Sequence, residues 1–142
     1  MQNIVIDTNI IVSAFISPKG NAERVLESVL PSKSIMICYN EAIINEYIEV
    51  LGRDKFKRFG FDLKREKIDS VIKKIVETGS IVNATKSKIP FNDESDRIFY
   101  DTAKASNAIL ITGNIKDFPD EPFILTPAEY ISLRAKIRQN IL

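Results

Sequence analysis

The chain is punctuated by short apolar runs in which hydrophobic and polar residues do not alternate: Ile4-Val5-Ile6, Ile35–Tyr39, Ala108–Thr112 and Phe123–Leu125. A strand with one wet face alternates, whereas a strand covered on both faces reads as a continuous hydrophobic run. Between these runs the periodicity is helical. Ala22–Leu30 places Ala22, Val25, Leu26, Val29 and Leu30 on one stripe. Asn40 is placed to cap a helix running to about Leu51. Leu63–Thr78 repeats the pattern with Ile68, Val71, Ile72, Ile75 and Val76, and Gly79 is its expected C-cap. Asp93–Ser106 is a further helix with its acids first, where the helix dipole favours them. Thr126-Pro127 opens a last helix. Strands buried on both faces and separated by helices restrict the fold to the α/β class, with a central, mainly parallel sheet.

Smaller features complete the outline. Thr8–Phe15 suits a strand-to-helix junction, Ile81-Val82-Asn83 a short edge strand, and Gly113–Asp120 a loop or a single helical turn. No repeat, low-complexity segment or linker interrupts the 142 residues, so residues 1–142 are expected to form one domain.

Composition narrows the chemistry. The chain has no histidine and one cysteine, Cys38. That removes Ser-His-Asp triads, imidazole ligands, intrachain disulfides and zinc ribbons. Any metal site must be built from oxygen donors, which favours Mg²⁺ or Mn²⁺. A net charge of +1 does not advertise a nucleic-acid binder, though it leaves room for a local basic patch. No apolar stretch approaches the roughly 18 residues of a membrane span. Met1–Asp7 lacks the basic start of a secretory leader, so a cytoplasmic location is expected.

The carboxylates are the informative residues. In open parallel sheets, ligands bind beyond the carboxyl ends of the strands. Asp7 closes the first run, and Asp117 follows Thr112 by five residues. Asp7 can also be read as a plain helix cap. Glu46 has Ala42, Ile43 and Val50 as helical neighbours, so it lies along an apolar stripe or at its edge. Asp96 shares a face with Phe99, Tyr100 and Ala103, while Asp93 and Glu94 suit capping. Each acid alone has an ordinary structural reading. Acids from separate elements meeting at one sheet edge repel each other, and such a cluster makes sense if divalent cations neutralise it.

Four segments then show a resemblance. Ile4–Ala14, with its Asp7-Thr8-Asn9, resembles the opening motif of PIN-domain nucleases. Glu41–Leu51 is similar to the second motif, whose acid matches Glu46. Asp93–Ala103 is similar to the third, with Asp96 at the metal-binding position. Ile109–Phe118 resembles the fourth, although Asn114 stands where many members have aspartate. Some VapC-type members also carry such an Asn followed by Asp-Phe, which leaves Asp117 as the fourth acid. The resemblance implies a single PIN-like domain acting as a Mg²⁺- or Mn²⁺-dependent ribonuclease. It is similar to the VapC-type toxins of toxin–antitoxin pairs, which implies RNA as substrate, a small antitoxin as partner and a homodimer. Asp7, Glu46, Asp96 and Asp117 would hold the metal, and Thr8 and Asn9 would lie beside it. Thr112, Ser13 and Asn114 are candidates to hydrogen-bond a phosphate oxygen. Arg53, Lys55, Lys57 and Arg58 could contact the RNA backbone, or form a solvated surface balanced by Asp54, Asp62 and Glu66.

Other readings remain open. A doubly wound phosphatase wants a second acid where Asn9 stands, and a receiver domain wants adjacent acids after the first strand; neither is present. A PIN-like scaffold that binds RNA or protein without cutting is the non-enzymatic alternative.

Overall fold

A computed structural model describes residues 1–141. Five strands form one sheet in the order β3-β2-β1-β4-β5: β1 (Gln2–Ile6), β2 (Ile35–Tyr39), β3 (Ser80–Ile81), β4 (Ile109–Ile111) and β5 (Ile124–Leu125). Every neighbouring pair is parallel, with Ile4 aligned to Ile37 on one side and to Ile109 on the other. The unalternating runs therefore mean what the sequence suggests: Ile4, Val5, Ile6, Leu110 and Ile111 have no solvent exposure at all. Cys38, in β2, is equally enclosed and serves as a small core residue.

The strand order reverses at β1. The chain runs outward through β2 to β3, then returns to place β4 on the other side of β1. The crevice beyond the carboxyl ends of β1 and β4 is thus a topological switch point, where open α/β sheets bind ligands. Six α-helices surround the sheet: α1 (Thr8–Ile16), α2 (Asn21–Val29), α3 (Glu41–Leu51), α4 (Arg65–Thr78), α5 (Arg97–Ser106) and α6 (Pro127–Ile141). Of these, α5 packs against β1, β2 and β4, while α6 lies on α2.

Three boundaries differ from the sequence reading. The helix expected from Leu63 begins only at Arg65. A 3-10 helix (Asp54–Phe59) precedes it and ends at Gly60, which adopts a left-handed φ of 78°. Phe56 and Phe61 stack there with ring centres 5.0 Å apart, so aromatic burial overrides helical continuation. The helix expected over Asp93–Ser106 is divided into a 3-10 turn (Glu94–Asp96) and α5. The edge strand is Ser80–Ile81, one residue earlier than expected.

Gly79 ends α4 in an extended conformation, not the left-handed one of a glycine C-cap. Glycine is required here by space. A Cβ would lie 2.4 Å from the Ile37 carbonyl oxygen and 2.5 Å from that of Ile75. Gly79→Ala is therefore expected to destabilise the fold by about 1–3 kcal/mol, as forced overpacking does. Urea unfolding checks this, and a midpoint equal to that of the parent chain would refute the packing argument.

Candidate active site at the sheet switch point

Asp7 is the innermost acid. It follows β1 and occupies the N-cap position of α1, but its carboxylate does not close the cap. It instead accepts a 2.7 Å hydrogen bond from the Thr112 hydroxyl, which comes from the end of β4. Asn9 completes this bridge. Its Nδ2 lies 3.3 Å from Asp7 Oδ2 and 3.4 Å from Thr112 Oγ1, and its Oδ1 accepts the Gly113 amide at 3.0 Å. The Asn114 amide donates to Thr112 Oγ1 at 3.0 Å. Thr112 is wholly buried, and its one hydroxyl proton is committed to Asp7. It thereby holds Asp7 in place. Thr8 is buried beside Asp7 with its hydroxyl unpartnered.

Glu46 reaches the same crevice from α3, half-buried beside the fully buried Ile43 and Tyr47, while Glu41 and Glu49 are exposed. Its helix is anchored at two points. The Asn40 side chain caps the Ile43 amide at 3.0 Å and donates to Thr102 Oγ1 at 2.8 Å. The Tyr47 hydroxyl donates to the carbonyl of Ile6, the residue before Asp7. A tyrosine in helical register with apolar residues reads as core, and nothing in the sequence marks its hydroxyl as the link between α3 and the end of β1.

Asp96 sits at the junction of the 3-10 turn and α5 and makes no capping bond. Capping falls to Asp93, whose Oδ1 accepts from the Ser95 amide and hydroxyl at 3.0 and 2.7 Å. Glu94 pairs with Arg97 at 2.7 Å. Arg97 also donates to the Ser87 carbonyl at 2.9 Å, and its guanidinium lies 4.9 Å from the centre of the Phe91 ring. Phe91 in turn meets Phe118 edge-on at 6.1 Å, next to the 3-10 turn (Ile115–Asp117) that carries Asp117. One buried arginine thus joins the turn bearing Asp96 to the turn bearing Asp117. Sequence reading missed this role, because an arginine after an acid looks like a solvated helix charge.

The electrostatics separate the acids. Burial pushes the Asp7 carboxyl up to about 6, against the hydrogen bond from Thr112 and the nearby amides of Thr8 and Asn9, with a further upward push from Glu46. Burial, then the charges of Asp7, Asp93, Asp117 and Glu46, push Asp96 up to about 7. Glu46 is raised mainly by burial. Asp93 is lowered by its bonds to Ser95, and Glu94 by Arg97. The acids that structure the turn stay readily ionised, whereas those facing the crevice resist ionisation. Asp117 and Asn114 are exposed on the rim, and Ser13 is exposed on α1. Among the described residues, the acids as they stand are not drawn together into a group of three that could hold a metal ion.

Of the basic segment, Arg53 lies near the acids of this crevice. Arg53 is held by Glu49 through bonds of 3.1 and 2.7 Å, and its charge is felt by Glu46 and Asp93. Lys57 pairs with Asp54 at 3.2 Å. Lys55 and Arg58 extend over the rings of Phe56 and Phe59 and pair with no acid among the described residues.

A family model described as a PIN domain matches residues 3–116. The chain belongs to the PIN domain family. An uncharacterised protein of Methanocaldococcus jannaschii is 28% identical to it over 117 residues, which span 78% of this chain and 70% of that protein. Two solved complexes share the fold of this chain. One is VapBC2 of Rickettsia felis bound to a fragment of promoter DNA, with a TM-score of 0.56, 20% identity, and coverage of 88% of this chain and 97% of that one. The other is a toxin–antitoxin complex of Klebsiella pneumoniae, with a TM-score of 0.53, 23% identity, and coverage of 87% and 97%. No helix among the described residues of this PIN domain is long and apolar enough to cross a membrane.

Raised carboxyl groups make stability depend on pH in a defined direction. Near pH 4 the unfolded chain begins to release protons that folded Asp7 and Asp96 retain. Stability in the presence of a chelator should therefore fall as pH rises from about 4 to about 7, then level off. Asp7 contributes on the order of 3 kcal/mol to this fall, and the more open Asp96 less than its displacement implies. Asp96→Asn should flatten the profile and be the more stable chain at pH 8. Chemical denaturation across this range tests it, and a profile rising from pH 4 to 7 would contradict the assignment. Tyr47→Phe should cost about 1–2 kcal/mol, because it leaves the Ile6 carbonyl buried without its donor.

Proposed function

We propose that this PIN domain is a metal-dependent endoribonuclease and the toxin of a toxin–antitoxin pair. The observation that carries the reading is the meeting of acids at the switch point: Asp96 is raised by burial and then by the charges of Asp7, Asp93, Asp117 and Glu46, all but Asp93 from other elements. An all-oxygen donor set with two carboxyls resisting ionisation near neutrality fits a hard divalent cation. Asp7, Glu46, Asp96 and Asp117 would hold Mg²⁺ or Mn²⁺ there. Bound at such a site, the ion supplies a Lewis acid that activates water for attack on a phosphodiester.

The chain's own residues have separable duties in this reading. Thr112 and Asn9 fix the inner carboxylate of Asp7. Thr8 offers a buried hydroxyl beside it. Asp96, whose carboxyl is pushed up to about 7 chiefly by burial, would be among the residues holding the cation, in its deprotonated form. Asn114, exposed on the rim, and Ser13, exposed on α1, would donate to phosphate oxygens. Lys55 and Arg58 offer unpaired charge to the RNA backbone, with Arg53 and Lys57 beside them already tied to acids. The partners follow from the company the fold keeps: the similar solved structures include toxin–antitoxin complexes. A small protein antitoxin, a homodimeric state, a cytoplasmic location and a single domain spanning residues 1–142 complete the proposal.

Two measurements test it. Mn²⁺ at about 100 times its Kd should stabilise the wild-type chain by roughly 2.7 kcal/mol, and Asp96→Asn should lose most of that gain together with RNA cleavage. Metal stabilisation without cleavage of any RNA would favour the non-cutting scaffold, and stabilisation retained in both Asp7→Asn and Asp96→Asn would overturn the site. Reversal of Lys55 and Arg58 to glutamate should weaken RNA binding and reduce its salt dependence by about one to two in log–log slope. An unchanged slope would return that segment to ordinary surface.

A further inference from the structure

A second polar site lies between α2 and α6, toward the amino end of β1. The cavity has a volume of about 360 Å³, and its lining includes Arg24, Glu27 and Ser28 from α2 and Tyr130, Arg134 and Arg138 from α6. Tyr130 is fully buried and its hydroxyl donates to Gln2 Oε1 at 2.7 Å, at the first residue of β1. The acids sit at the other end of that strand. The cavity is therefore separate from the switch-point crevice.

Its arginines are arranged against electrostatic preference. Arg134 and Arg138 are four residues apart on one helix, a spacing at which like charges repel. Arg24 faces the cavity from the neighbouring helix, and its one side-chain contact is a 3.5 Å approach to Asn21 Oδ1. None of the three forms an ion pair among the described residues, although Glu27 lines the same cavity. Two donor atoms in the lining, Ser28 Oγ and Arg134 Nε, are shut away from solvent with no acceptor. A buried donor without a partner costs about 1–3 kcal/mol. Three guanidinium groups, two exposed and that of Arg134 half-buried, line one cavity without an acid paired to any of them among the described residues, and an oxyanion with several acceptor oxygens matches that lack.

We propose that this cavity binds a phosphate group, with the guanidinium groups of Arg24, Arg134 and Arg138 supplying charge and hydrogen bonds. The ligand chemistry is shared by free phosphate and by the backbone of an RNA strand. This site does not depend on the metal-dependent reading of the switch point.

The test uses inorganic phosphate as the probe, titrated by calorimetry with a chelator present and chloride holding ionic strength constant. Saturable binding at one site per chain is expected, weakened at least tenfold by Arg134→Gln and unchanged by Asp96→Asn. Arg24→Gln, at an exposed position, should also weaken binding and serves if Arg134→Gln fails to fold. Absence of saturable binding, or binding untouched by Arg24→Gln and by a folded Arg134→Gln, would overturn the proposal. A short oligoribonucleotide without terminal phosphates, added to the phosphate-loaded protein, identifies the source. Displacement assigns the site to the RNA backbone, and its failure assigns it to free phosphate.

Discussion

The hydrogen bond from Thr112 to Asp7 is the contact on which the rest of the candidate site depends. It joins the carboxyl ends of β1 and β4, the two strands between which the sheet changes direction. Sheet hydrogen bonds fix where the backbone of each strand ends but leave side chains beyond the ends free to diverge. The threonine hydroxyl removes that freedom, and Asn9 adds a second tie between the same two loops. Glu46 and Asp96 are then brought against this fixed pair, one by the Tyr47 bond to β1 and the other by a turn locked onto Arg97.

The arrangement has a thermodynamic character of its own. Most of the protein is organised to bury apolar surface, and this crevice is organised to bury carboxyl groups. Burial of Asp7, and the partial burial of Asp96 and Glu46, disfavour their ionised forms and raise the free energy of the folded chain at neutral pH relative to a version with neutral side chains there. A fold that tolerates such a cost needs a strong core, and the fully enclosed isoleucines and tyrosines around β1 provide it. Asp93 and Glu94 show that acids in the same turn can instead be satisfied locally. The contrast between the two groups marks which carboxylates are structural.

Much of this was legible in the sequence because the relevant signals are local. Unbroken apolar runs such as Ile4-Val5-Ile6 identify strands covered on both faces, and helical spacing around Ile43 and Tyr47 places Glu46 at the edge of a buried stripe. The division of Asp93–Ser106 into a tight turn and a helix was not legible. It depends on Arg97 reaching Ser87 and Phe91 across a loop that has no periodicity. The late start of α4 likewise follows from Phe56 stacking on Phe61, a contact that helix propensity cannot register. The roles of Tyr47 and Thr112 were hidden for a related reason. Each is a residue type common in cores, and what matters is the partner its hydroxyl finds more than forty residues away in the chain.

The enclosure of Cys38 turns the protein into its own reporter. It is the chain's one thiol, buried on a face of β2, where a reagent cannot approach without opening of the layer packed on the sheet. The pace at which that thiol is alkylated under native conditions is thus a clock for that opening. Because β1 and its Asp7 sit one strand away, any ligand that clamps the switch point should slow that clock, whether or not the ligand is ever seen directly.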